Sequence, residues 1–97
     1  MIIKILKSAN QDLVEGYYFY EKQAKGLGSY FLDSLFSDID SLKIHAGIHA
    51  IHCERYRRLL SKRFPFAVYY RMENETALVY AILDCRRNPA WIRKKLK

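Results

Sequence analysis

At 97 residues, with 51% hydrophobic and 28% charged side chains, the chain has the composition of one ordinary globular domain, residues 1–97, and no length for a second. Two cysteines are too few for a disulfide-stapled secreted scaffold, and MIIKILKSANQ has too short an apolar run for an export signal or a membrane span. A reducing cytoplasm and two simple buried thiols are expected, with no membrane partner.

The net charge of +7 is unevenly placed. Residues 1–53 hold five lysines against six acids, whereas residues 54–97 hold twelve basic groups, including all eight arginines, against four acids. That asymmetry points to an anionic partner, nucleic acid or acidic protein; a solvated basic face is the bland alternative.

In chain order, MIIKILK predicts a short strand. Ser8 suits a helix N-cap, its hydroxyl accepting from free first-turn amides, and Gln11 completes a capping box. Leu13, Tyr17, Tyr20, Ala24 and Leu27 then line one helical face, and GLG at 26–28 breaks the helix. Phe31, Leu35, Ile39 and Leu42, flanked by Leu32 and Phe36, repeat the stripe, so two helices so closely joined predict an antiparallel hairpin.

IHAGIHAIHC has no clean period and reads as a loop with possible short helix. ERYRRLL predicts a polar strand towards an edge. In RFPFAVYYRM the period becomes two: Phe64, Phe66, Val68, Tyr70 and Met72 face one way, Ala67, Tyr69 and Arg71 the other. MENET supplies a turn with Asn74 in a left-handed position, and TALVYAILDC, apolar on both faces, predicts a central strand covered on each side. Pro89 starts a short basic helix, WIRKKLK. The expected fold is therefore α+β: an N-terminal strand and a helix hairpin packed on a three-stranded antiparallel sheet, with a short helical tail.

DLVEGYYFYEKQAKGLG with the helix after it, YRRLLSKRFPFAVYYRMEN and VYAILDCRRNPAWI resemble the RelE/ParE superfamily, the toxins of type II toxin-antitoxin systems, over nearly the whole chain. The resemblance implies a cytoplasmic bacterial toxin, associated with growth inhibition and plasmid stabilization, that needs no metal or cofactor. Its partners would be a cognate antitoxin and, in the ParE branch, DNA gyrase; operator DNA would be reached only through the antitoxin. RelE-like members instead cut messenger RNA on the ribosome. For that reading Arg87 matches the strand-end arginine, and Arg63, Lys62 and Arg71 would supply further cations, but Phe66 stands where those nucleases place a second arginine and Trp91 near their terminal tyrosine. RFPF and RRNP resemble the ParE branch, which implies a gyrase poison that need not be an enzyme. An inactive, antitoxin-binding co-repressor is the third possibility.

Arg86, Arg87, Arg71, Tyr69, Arg57, Arg58 and Trp91 are the candidate antitoxin- or target-binding residues. Arginine suits the role because its planar fork donates in pairs to carboxylate or phosphate. Against this, Arg86 or Arg87 could simply pair with Asp84, whose pKa a neighbouring arginine would lower; Arg55, Arg57 and Arg58 could form a solvated edge; and Trp91 could anchor the tail. Tyr69 is expected to face a partner, and Tyr70 the core. The H-x3-H-x2-H-C run of His45, His49, His52 and Cys53 is credible zinc chemistry, yet Gly47 interrupts it and no metal is expected.

Overall fold

The computed structural model describes residues 1–53 and 55–97. The elements in chain order are β1 (Ile2–Ile5), α1 (Lys7–Glu21), α2 (Leu27–Asp40), α3 (Leu42–His45), β2 (Ile51–His52), β3 (Tyr56–Leu60), β4 (Phe66–Glu73), β5 (Thr76–Asp84) and α4 (Pro89–Lys95). The strands of the described residues form one sheet in the order β1-β5-β4-β3-β2. The expected antiparallel meander is its middle, β3-β4-β5, joined by a two-residue turn in which Asn74 takes φ 58°. Two strands extend it: β1 pairs parallel with β5, and the two-residue β2 pairs antiparallel with β3. Glu54, the first residue of the expected polar strand, lies outside the described residues.

The α1–α2 hairpin covers one face of the sheet. Its buried stripe on α1 is Ala9, Leu13, Gly16 and Tyr20 rather than the run ending in Ala24 and Leu27, because α1 stops at Glu21. The GLG stretch starts α2 instead of ending α1: the Glu21 carboxylate accepts from the amides of Gly26 (3.0 and 3.1 Å) and Gly28 (2.9 Å), placing negative charge on the N-terminus of α2. The helices cross where side chains are missing. A Cβ on Gly28 would stand 2.6 Å from the Tyr17 carbonyl oxygen, and one on Gly16 2.5 Å from the Phe31 ring.

Phe31, Leu35, Ile39 and Leu42 are buried as the stripe predicts, and Tyr20, Phe31, Phe64 and Phe66 meet edge-on with centroids 4.8–5.2 Å apart. Each such pair contributes roughly 0.5–1.5 kcal/mol beyond its buried area.

α4 covers part of the other face. Its Ile92 and Leu96 pack on Tyr56, Ala67, Tyr69, Ala81 and Leu83. A seven-residue helix does not persist alone in water. Burial of Ile92 and Leu96, at roughly 1.5–3 kcal/mol each, holds it down, and the Asn88 side chain caps it by accepting from Ala90 N–H at 2.7 Å.

β5 changes phase midway. Tyr69 lies opposite Ala81 but Tyr70 opposite Val79, so Tyr80 is an extra residue, a bulge. Ala77 and Val79 face the helix hairpin before it; Ala81 and Leu83 face α4 after it. The polar groups beside the bulge are satisfied by α1, because β1 has already ended at Ile5. Ser8 Oγ donates to the Tyr80 carbonyl (2.7 Å), and Asp12 Oδ2 accepts from Ile82 N–H (2.9 Å). Ser8 is therefore not the N-cap, a position held by Leu6; one helical turn of α1 clamps β5.

Candidate partner-binding face

Arg55, Arg71, Arg93, Lys95 and Lys97 line clefts beside α4, and Arg86 and Arg87 follow the end of β5. Beyond Asp84 the chain turns sharply, with Cys85 N–H donating to the Pro65 carbonyl (2.8 Å) and Arg87 N–H to the Asp84 carbonyl (3.2 Å). The two arginines of the doublet then diverge. Arg86 forks onto Asp84, with Nε to Oδ1 at 3.0 Å and Nη2 to Oδ2 at 2.7 Å, while its own amide donates to Oδ1 at 2.8 Å. These hydrogen bonds from Arg86 hold the Asp84 carboxyl below its ordinary pKa, against partial burial. The pair is structural: it locks the turn.

Arg87 is left available. Its guanidinium stacks 4.0 Å from the Trp91 ring centroid, and Lys95 approaches the same ring at 5.4 Å. Arg87, Trp91 and Lys95 form one wall of a cleft of about 230 Å³ between α1, the end of β5 and α4; Phe19, Asp12 and Glu15 are on the other. Trp91 thus anchors the tail and also presents a half-buried aromatic surface.

Strand register splits the remaining candidates. Arg57 lies opposite Tyr70 and Arg58 opposite Tyr69, so the two arginines point to opposite faces. Arg57 faces the helix hairpin, where its Nη1 donates to the His49 carbonyl (2.7 Å). Arg58, in register with Tyr69, lies on the α4 side. Tyr69 itself is only 1% exposed, so the outward role expected of it is closed: the face opposite the hairpin is a second core under α4, not open surface. Tyr70 is in the main core as expected. Arg71 lies on the α4 face, 5.7 Å from the Tyr80 ring centroid and 3.6 Å from Glu73.

The histidine run is likewise dispersed. The short helix ends at His45, so none aligns the run; the Tyr70 hydroxyl pairs with His49 Nδ1 and accepts from Gly47 N–H (3.0 Å). His52 lies on the other side of the sheet against Tyr69. The thiols are less enclosed than expected: Cys85 is exposed, Cys53 half-buried, and both are free.

The cations a ribonuclease would converge are also apart. Arg71 is five residues along β4 from Phe66, whose partner is Asp84, about 16 Å from the strand end where Arg87 sits. Lys62 and Arg63 are exposed in the β3–β4 turn, and none of the clefts described here includes them.

The residues that sequence reasoning missed are Arg93, Lys95 and Lys97 of the tail, which join Arg55 and Cys53 at the β2–β3 turn. Arg55, Cys53, Arg93, Leu96 and Lys97 line a cleft of about 620 Å³. An adjoining one of about 430 Å³ is lined by Arg55, Tyr56, Arg71, Tyr80, Lys95, Leu96 and Lys97, with Ser8 and Ala81. The signal was present in WIRKKLK, where Ile92 and Leu96 at four-residue spacing turn Arg93 and Lys97 outward together.

No protein-family model and no curated protein sequence matches the chain. Among solved structures it is similar to a chain of the chromosomal ParDE TA system from P. aeruginosa, at 21% identity and a TM-score of 0.74, over 84% of this chain and 92% of that one. The fold is of the RelE/ParE type. In RelE/ParE terms, the expected order of strand, hairpin, meander and tail is present, with the N-terminal strand joined to one sheet edge and β2 added at the other. Among the described residues, no helix is long and apolar enough to cross a membrane.

Proposed function

We propose that this chain is the toxin of a type II toxin-antitoxin pair, that it poisons DNA gyrase in the bacterial cytoplasm, and that a cognate antitoxin neutralises it. The RelE/ParE-type fold over 84% of the chain is the observation that carries the reading. The wide separation of Arg71 from Arg87 favours the gyrase branch over the ribonuclease branch, since phosphodiester cleavage requires cations converging on one phosphate. A poison acts by holding gyrase in its cleaved-DNA state, a binding task that requires no chemistry of its own. The Arg87–Trp91 wall and the basic clefts beside α4 supply the contact surface, and the antitoxin acts by covering it.

A gyrase supercoiling assay with purified protein tests this. Loss of supercoiling with accumulation of cleaved DNA is expected, weakened by Arg87→Ala. Normal supercoiling in excess protein refutes it. Induced expression in a bacterial host separates the branches: filamentation with a DNA-damage response is expected, whereas immediate loss of translation would indicate the ribonuclease.

A further inference from the structure

The two basic clefts beside α4 share Arg55, Leu96 and Lys97, so they form one continuous surface. Arg55, Arg93 and Lys97 border one part, and Arg71 and Lys95 add to the other. Among the described residues no Asp or Glu side chain lines either cleft, although a bonding partner for Arg71, Glu73, is near. The positive field extends inward. His52 is held below its ordinary pKa first by burial and then by Arg58 and Arg93.

The chemistry of the lining narrows the ligand. Stacking on unpaired bases needs open aromatic faces, but Tyr56 is buried and meets Tyr80 edge-on at 5.1 Å, and Tyr80 carries the Arg71 guanidinium. An acidic peptide would use apolar sockets or a free strand edge, whereas Leu96 is buried and the Tyr56 edge of β3 is occupied by β2. Cations on exposed stems around a broad cleft suit a repeated, shape-tolerant anion instead.

We infer that this surface binds the phosphate backbone of duplex DNA directly and without sequence preference. It thereby deepens the gyrase reading, on which it rests for the choice of duplex DNA: the toxin would hold the DNA of the cleaved complex as well as the enzyme. Lys and Arg contacts of this kind displace condensed counterions, so binding weakens steeply with salt.

The test is fluorescence anisotropy of a labelled random-sequence duplex with the full chain, without gyrase, over a range of salt. Engagement of three of the lining cations predicts a slope of log K against log salt of about −3. The double variant Arg55→Ala/Arg93→Ala, exposed at both positions and checked for unchanged thermal unfolding, should flatten that slope by roughly 2. Lys22→Ala/Lys25→Ala on the helix hairpin should leave it unchanged. An equal loss with the hairpin variant would mean diffuse attraction by net charge and overturn the site. Tighter binding of labelled polyglutamate than of duplex, lost in the same double variant, would overturn the choice of ligand. Because gyrase is absent, DNA binding without gyrase inhibition would sustain the site and sink the gyrase reading; gyrase inhibition without DNA binding would do the reverse.

Discussion

Replacing Asp12 probes the clamp that α1 places on β5, and with it the position of the turn that carries Arg86 and Arg87. Asp12→Ala removes the acceptor for the Ile82 amide, in a residue only 2% exposed, where water cannot easily substitute. An unsatisfied buried donor costs about 1–3 kcal/mol. Part of that is returned, because the carboxylate is itself partly desolvated in the folded chain. A net loss of about 1–2 kcal/mol is expected, lowering Tm by roughly 4–8 °C for each kcal/mol in a domain of this size.

Asp12→Asn separates the two terms, since it keeps an acceptor oxygen but no charge. Burial pushes the Asp12 carboxyl above its ordinary pKa, with Glu15 adding to the rise while the Ile82 amide and Lys95 oppose it. A raised folded-state value means that the folded chain holds the proton more tightly than the unfolded one. Asp12 therefore weighs against folding above that raised value, and the penalty fades as pH falls towards the unfolded value of about 3.9. Asp12→Asn should accordingly be at least as stable as the native chain at neutral pH and lose that advantage on acidification. Urea unfolding of the native chain and both variants, at neutral and acidic pH, measures this. An alanine variant within about 0.5 kcal/mol of the native chain, or an asparagine advantage that grows as pH falls, refutes the reasoning.

At the hairpin crossing, Gly28→Ala and Gly16→Ala should each lose about 1–3 kcal/mol by overpacking, less up to about 1 kcal/mol of helix propensity regained. Gly28→Ala should be the worse, because its new methyl meets the Tyr17 backbone oxygen rather than a ring that can shift; the reverse order in urea midpoints would contradict this packing. Burial, then His45 and Arg57, holds His49 below its ordinary pKa, so its contribution is complete above the unfolded value of about 6.5 and is lost as pH falls through that value towards the lowered one. His49→Gln should make the decline of urea midpoints on acidification shallower, with His52, shifted the same way, supplying what remains. An unchanged pH dependence would show that burial does not hold His49 neutral in the folded chain.

Periodicity made the α2 stripe, the alternation of β4 and the two-sided burial of β5 legible, because each follows from one residue facing one environment. Phase and pairing were less so. Ser8 has the local chemistry of an N-cap, but a carbonyl freed 72 residues away takes its hydroxyl, and no local pattern encodes that competition. The bulge at Tyr80 hides for the same reason: in an all-apolar strand, a change of face leaves no mark in the residue types. Alternation gives Tyr69 its face but not its burial, which comes from Ile92 and Leu96, two apolar residues in a mostly basic tail. Within YRR, only the register with Tyr69 and Tyr70 separates an arginine that props a loop from one that faces α4. The arginine doublet was legible as a candidate site, but its division into a turn lock and a guanidinium stacked on Trp91 depends on turn geometry.

The placement of β5 has a consequence for synthesis. β5 is bonded to β1 on one side and to β4 on the other, so residues 2–5 must wait for residues 76–79 before they find a partner. The α1–α2 hairpin can close early through contacts near in sequence, whereas the sheet cannot close until residues 76–79 have left the ribosome. During translation, then, the hairpin stands with its apolar stripe uncovered and the arginine-bearing turn does not yet exist. A nascent chain of this topology cannot present the candidate partner-binding face before residues 76–84 have emerged.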